Sequence, residues 1–381
     1  MSKMSVPSVD ALRVENVSFA LAGILQKAGY TPISTPILQP LEVFLEYAGE
    51  DIRKRLYSVT DISGGEHCLR PDLTIPTCLH YLASSNSANG VETRLCYRGD
   101  AFRYHSKNSL KPTQFPQVGA EYFGGNDPTS ADAEIMALAI DGLRYLGCKG
   151  FEMEIGDLHL FDALAEGIGK ISPWGKRLRQ VFHQSKIRFD KLLQQAKGKQ
   201  KEIPSLLREP ASKGNLDRVN VVIMNRPLCG RSTKEIEKRY LERIKWRNLP
   251  PLPEDISVML EKFLRIRAPF PRALKDIRTV AEAIDIAPAL ERLEQRAECL
   301  QKYKIDLNDA IFSTSFGRRL GYYTSFVFEV RVGEIQIATG GRYDQLFQAL
   351  GSEREIPAVG FAARPDRIAS LFPETAMEFA L

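Results

Sequence analysis

One carboxylate stands where a strand should carry none. Glu121 lies inside VGAEYF, a stretch otherwise apolar enough to be buried. A charged side chain in a sheet interior needs a partner, and the reading taken here is that Glu121 serves a function. Other reactive residue types offer less. The six cysteines (Cys68, Cys78, Cys96, Cys148, Cys229 and Cys299) are scattered, form no CxxC, and have no His at a zinc-ligand spacing. They are expected to be free thiols in a reducing compartment, and no metal site is expected. No GxGxxG follows a strand and no GxxxxGK[ST] occurs, which removes the usual dinucleotide and P-loop readings. No cofactor is implied. The run KGKQK (Lys197 to Lys201) carries charge enough for a phosphate backbone, but reads as a solvated loop.

The elements that must place Glu121 are legible around it. RLCYRGDAFRY (Arg94 to Tyr104) and QFPQVGAEYFGG (Gln114 to Gly125) read as two strands joined by the polar loop HSKNSLKPT. Upstream, Val17, Leu21, Ile24, Leu25 and Ala28 recur at helical spacing, and Gly29 stands where a glycine cap would. Thr31 to Phe44 is punctuated by Pro32, Pro36 and Pro40, so it is extended and belongs at a sheet edge or an interface. FEMEIG (Phe151 to Gly156) is a short strand. In SFVFEVRV, residues Phe326, Phe328, Val330 and Val332 share one face, and Gly333-Glu334 turns the chain into a hairpin with IQIATGG. Residues 170–305 are rich in Leu, Arg, Lys, Gln and Glu with helical periodicity. They read as a mostly helical insertion with its own core.

Strands on both sides of a helical block predict one discontinuous α+β domain, 1–169 with 306–381, interrupted by the insertion. The antiparallel hairpins argue against a doubly wound parallel sheet. A chain of 381 residues has length for such a core. Its net charge of +5 lacks the dense basic stripe of a nucleic-acid binder. With no apolar leader and no membrane-length run, a soluble cytoplasmic protein is expected.

Four segments, in order, resemble the histidyl-tRNA synthetase family. GYTPISTPILQPLEVF (Gly29 to Phe44) is similar to its dimer-forming motif 1. CLRPDLTIPTCLHYL (Cys68 to Leu82) with YRGDAFRY and QFPQVGAEYFG resembles motif 2 and the amino-acid pocket. RRLGYYTSFVFE (Arg318 to Glu329) resembles the histidine signature, usually RGLDYY. TGGRYDQL with AVGFAARPDR resembles motif 3. The resemblance implies a class II synthetase-like antiparallel sheet flanked by helices. It implies a histidine pocket in which Asp72, Thr74, Gln117 and Glu121 accept from the ammonium and ring N–H groups. Arg318 would pair with the carboxylate, Tyr322 and Tyr323 would wall the ring, and Arg103 matches the motif 2 arginine.

The departures matter as much. The family's glutamate two residues after the motif 2 arginine is His105, its arginine before the QF dipeptide is Thr113, and its motif 3 glycine is Arg364, followed by Pro365. A long cation at Arg364 is expected to fill the adenine slot, although the motif 3 arginine remains as Arg367. The signature aspartate is Gly321 and the pocket glutamate is shortened to Asp72. Beyond Arg367 only Ile368 to Leu381 follow, so no C-terminal anticodon-binding domain is expected; such a domain takes on the order of a hundred residues. This pattern resembles a paralogous family, the regulatory subunits of ATP phosphoribosyltransferase. That likeness implies a subunit without catalysis that activates a short-form catalytic partner and lets L-histidine inhibit it, as a homodimer within a hetero-oligomer. A truncated synthetase and a stand-alone histidine- or RNA-binding module stay open as alternatives.

Overall fold

The computed structural model describes residues 11–47, 50–84, 90–106, 109, 111–183, 186–198, 249–317 and 322–372. Arg318, Gly321, Cys229 and Lys201 lie outside the described residues, so the expectations placed on them are not met with geometry here.

Helix α1 (Ala11–Lys27) buries Val17, Leu21 and Leu25 on one stripe. It ends on Gly29 at φ +90°, where Gly29 N–H returns to Gln26 O at 2.9 Å and Tyr30 N–H to Leu25 O at 3.1 Å. These paired bonds close a left-handed glycine cap. The proline-punctuated segment forms β1 (Thr31–Ile33) and β2 (Leu38–Pro40), but the extended reading fails beyond Pro40: Leu41 opens helix α2 (Leu41–Tyr47), since a proline forbids a helix only at its own and the preceding positions and not after it. Strands β3 (Ser58–Thr60) and β4 (Glu66–Leu69) join β2 in a small antiparallel sheet of order β2-β4-β3. Helix α3 (Thr74–Leu82) leads into the long hairpin β5 (Thr93–Phe102) and β6 (Gln114–Phe123). Next come α4 (Pro128–Tyr145), β7 (Glu152–Asp157), α5 (Leu158–Ile171), α6 (Trp174–Phe182), α7 (Lys186–Ala196) and α8 (Glu254–Arg265). Strand β8 (Arg267–Pro269), helices α9 (Phe270–Ala281) and α10 (Ala287–Lys302), and β9 (Ala310–Ser313) follow. The chain returns through the hairpin β10 (Phe326–Val332) and β11 (Ile335–Arg342), then β12 (Ala358–Ala363) and the short helix α11 (Pro365–Ala369).

The large sheet has nine strands in the order β1-β5-β6-β12-β11-β10-β7-β9-β8. Its centre is antiparallel, as the hairpins required, so the fold is α+β. Two pairs, β1 with β5 and β7 with β9, run parallel. A helix-bearing crossover joins each such pair, which a hairpin reading cannot foresee. Pro32 sits in the edge strand β1, where a missing N–H costs no ladder bond. Phe326, Phe328 and Val330 are buried together on one face of β10. Helices α1, α4 and α11 pack on strands β5, β6, β11 and β12, and α10 packs on α4. The other face carries a second core that joins Phe44 of α2 and Ile75, Cys78 and Tyr81 of α3. It also takes in Phe123, Tyr343 and Phe347, with Tyr322 and Tyr323 packed against it.

The chain divides into two compact units, one running to Leu164 and resuming at Lys262, the other Ala165–Glu261. Residues 262–305, read from sequence as part of the insertion, fall in the first unit: β8 pairs with β9 in the large sheet, and α10 lies against α4. Their Leu- and Arg-rich periodicity marks helices but does not say which body they cover. Among the described residues no helix is long and apolar enough to cross a membrane, and no group of residues is arranged to hold a metal. The described cysteines are free, with Cys68, Cys78, Cys96 and Cys148 buried.

Candidate functional site

Strand alternation puts Gln117, Gly119 and Glu121 on one face of β6, and register carries that face across its neighbours. Tyr97 of β5 lies opposite Gly119, and Gly360 of β12 lies opposite Glu121. Glu121 is fully buried. Tyr97 Oη donates to its Oε1 at 3.1 Å, and Tyr343 Oη donates to its Oε2. Burial pushes its carboxyl up to about 8, against the opposing pull of the hydroxyls of Tyr343, Thr74 and Tyr97. A residue with a Cβ at 360 would put that atom 1.5 Å from Glu121 Oε2, so the carboxylate owes its place to a glycine on the next strand.

Asp72 and Thr74 are set by the start of α3. Arg70 holds the approach: its guanidinium donates to Thr35 O, to Thr35 Oγ1 at 3.2 Å and to Asp100 O at 2.7 Å. Asp72 Oδ1 accepts from Ile75 N at 3.3 Å, in the manner of a capping carboxylate. Its Oδ2 is buried without a hydrogen-bond partner, and Gln117 Oε1 is in the same condition. Each orphaned acceptor asks for an N–H donor from a ligand or from water. Burial raises the Asp72 carboxyl as well, against the pull of Arg103.

Tyr322 and Tyr323 meet edge to face at 5.0 Å, and Tyr322 lies 5.8 Å from Tyr343, so three phenols line one wall. Burial and then the carboxylates nearby push the phenols of Tyr323 and Tyr343 upward, which keeps them protonated donors at neutral pH. The predicted residues Asp72, Thr74, Glu121, Tyr322 and Tyr323 are therefore brought together, and Gln117 shares the Glu121 face of β6. Tyr97, Tyr343 and Gly360 were missed by sequence reasoning. YRGD, GGRY and AVGF were all recognised, but nothing in a sequence says which residue of a strand faces a carboxylate one or two strands away.

Arg103 sits at the rim, its Nε donating to Pro71 O at 2.8 Å and its backbone N–H donating to Thr113 O at 2.8 Å. Thr113 is exposed and offers the site only that carbonyl. His105 is half-buried; desolvation and then the cations Arg55, Lys111, Arg103 and Arg364 hold its imidazole below the usual range, hence neutral. Arg364 stacks its guanidinium 3.9 Å over the Phe115 ring and forks onto Asp366 at 2.9 and 2.7 Å. Arg367 donates to Gln336 O at 2.8 Å, and burial followed by Arg364 lowers it to about 10. The arrangement has two halves: an acceptor-rich cluster lined by phenols, its chemistry suited to ammonium and N–H groups, and a set of arginines engaged with their own neighbours.

Comparison with known proteins gives the family and the fold. The histidyl-tRNA synthetase family model matches residues 6–249 and 233–368. An ATP phosphoribosyltransferase regulatory subunit of Agrobacterium fabrum is 33% identical over 351 residues, covering 88% of this chain and 91% of that one. One from Brucella ovis is 30% identical over 388 residues, covering 97% and 98%. Among solved structures, a Bacillus halodurans ATP phosphoribosyltransferase regulatory subunit/histidyl-tRNA synthetase superposes with a TM-score of 0.68 at 23% identity. It covers 95% of this chain and 79% of that one, a likeness of fold.

Proposed function

The chain belongs to the ATP phosphoribosyltransferase regulatory subunit family, on a histidyl-tRNA synthetase core, and we propose that it activates a short-form catalytic subunit and carries the histidine-sensing site. It does so without chemistry of its own. The observation that supports this most is the buried Glu121 between two phenols, with Asp72, whose Oδ2 is an orphaned acceptor, within electrostatic reach of it and Gln117, whose Oε1 is another, on the same face of β6.

Free histidine brings an ammonium, a carboxylate and an imidazole, and each must be satisfied once water is stripped from it. Asp72, Thr74 and Gln117 offer acceptors for the ammonium. Glu121 and the tyrosines offer a carboxyl and a wall for the ring, the carboxyl ionising when a cationic group of the ligand comes against it. Arg103 and Arg318 are the cations matched to the carboxylate. Retention of this half contrasts with His105, Thr113 and Arg364, which stand where the synthetases place groups that hold ATP. Feedback requires histidine to bind one state of the complex better than another, since equal affinity shifts nothing. A tenfold inhibition needs only about 1.4 kcal/mol of such difference, within the range of coupled sites.

The subunit is proposed to act as a homodimer inside the hetero-oligomer. The small sheet leaves Leu38 and Val59 exposed on one face, with Ile37 and Ile62 exposed in the chain flanking its strands, apolar surface of the kind that a two-fold copy covers. The test is co-purification with a short-form catalytic subunit, followed by an assay of phosphoribosyl transfer with and without histidine. Activity that needs this chain and falls with histidine is expected. A catalytic subunit indifferent to the chain contradicts the proposal.

A further inference from the structure

Tyr343 reaches Glu121 from the end of β11, and the residues on either side of it are locked. Arg342 is almost fully buried. Its Nε donates to Asp132 Oδ1 at 2.8 Å, its Nη2 to Pro128 O at 2.8 Å, and its Nη1 to Asp344 Oδ1 at 2.9 Å. Asp344 Oδ1 also accepts from Ala358 N at 2.8 Å, while Tyr343 N donates to Ala358 O at 2.7 Å. The second oxygen of Asp132 takes Arg296 Nε at 2.8 Å, and Arg296 Nη1 goes on to Asp157 at 2.6 Å. A desolvated charge network of this kind costs more to build than an apolar one of the same shape. Its yield here is geometric: it fixes both neighbours of the one phenol that bonds Glu121 from β11.

We propose that Asp344 and Arg342 are positioning residues for the ligand pocket, clamping the β11 end to β12 so that the Tyr343 hydroxyl meets Glu121. Neither touches the ligand; both act through Tyr343. The bond they hold is also the largest force opposing the burial that raises Glu121, so losing it raises that carboxyl further. The inference rests on the proposed histidine site for its meaning, but its test does not depend on histidine.

The experiment is a double-mutant cycle on the full chain between Asp344→Ala and Tyr343→Phe, read by the titration of Glu121 in 13C-labelled protein and by histidine binding. Tyr343→Phe is expected to raise the Glu121 midpoint by about one pH unit and to weaken histidine about tenfold, the weight of one hydrogen bond to a charged group. Asp344→Ala should shift both in the same direction, and the double variant should match Tyr343→Phe alone. Asp344→Asn keeps an acceptor for Ala358 N and should restore much of the effect; it also serves if the alanine variant folds poorly. Independent effects that add in the double variant overturn the proposal, as does an Asp344→Ala protein whose Glu121 titrates like the wild type. Absence of histidine binding with the titration pattern intact would refute the histidine reading and leave the clamp standing.

Discussion

At the scale of single residues, Glu121 concentrates the chemistry. In the unfolded chain a glutamate titrates near pH 4.3, roughly, whereas burial in the fold holds Glu121 near about 8. Between those values the folded state binds more protons than the unfolded one. The ligand-free protein therefore loses stability as pH rises through that window, at up to about 1.4 kcal/mol per pH unit from this group. Asp72, raised in the same direction, adds to the slope. Glu121→Gln removes the ionisation, so its melting temperature should fall less than that of the wild type between about pH 5.5 and pH 8. Equal slopes would contradict the buried-carboxylate account. At the rim, Arg364 is committed to Phe115 and Asp366, and the proposed reading takes His105 and Thr113 as losses at an ATP site. The isolated chain should therefore show no histidine-dependent pyrophosphate exchange, and measurable exchange would restore the reading as a synthetase. Glu121 was legible in the sequence because a carboxylate interrupts an apolar strand. Tyr343 was not, since its role depends on a register across β12.

At the scale of elements, hairpins and caps were the readable part. Gly29 ends α1, Gly333 turns β10 into β11, and the prolines between Thr31 and Pro40 confine that stretch to sheet edges, although Leu41 to Phe44 are helical. The parallel pairs and the docking of α10 on α4 were not readable, because they follow from crossovers and packing rather than from local pattern. Gly360 shows how an element constrains the site from a distance. Gly360→Ala would set a methyl on Glu121 Oε2, displacing the carboxylate at a cost of about 1–3 kcal/mol for overpacking. Urea unfolding should show that loss, and histidine binding should weaken with it. A variant as stable as the wild type, with full affinity, would mean that Glu121 does not sit where the close approach puts it.

At the scale of the whole molecule, the account joins an exposed apolar sheet, a retained amino-acid pocket and a partner. The first of these is tested by light scattering at micromolar concentration. The wild type should run as a dimer and Leu38→Lys, on the exposed edge strand β2, should shift it toward monomer; a wild-type monomer would remove the motif 1 interface from the account. The central claim is that histidine regulates through the Glu121 pocket. The measurement that reaches it most directly is the histidine inhibition constant of the assembled complex with a short-form catalytic subunit, compared between wild type and Glu121→Gln, with Arg318→Ala beside it. Glu121→Gln keeps the side chain's size and removes the carboxyl that ionises against the ligand's cationic group, so it should raise the inhibition constant about tenfold, the equivalent of about 1.4 kcal/mol, while activation of the partner stays near the wild-type level. Inhibition constants unchanged in both variants would place the inhibitory histidine elsewhere and contradict the claim.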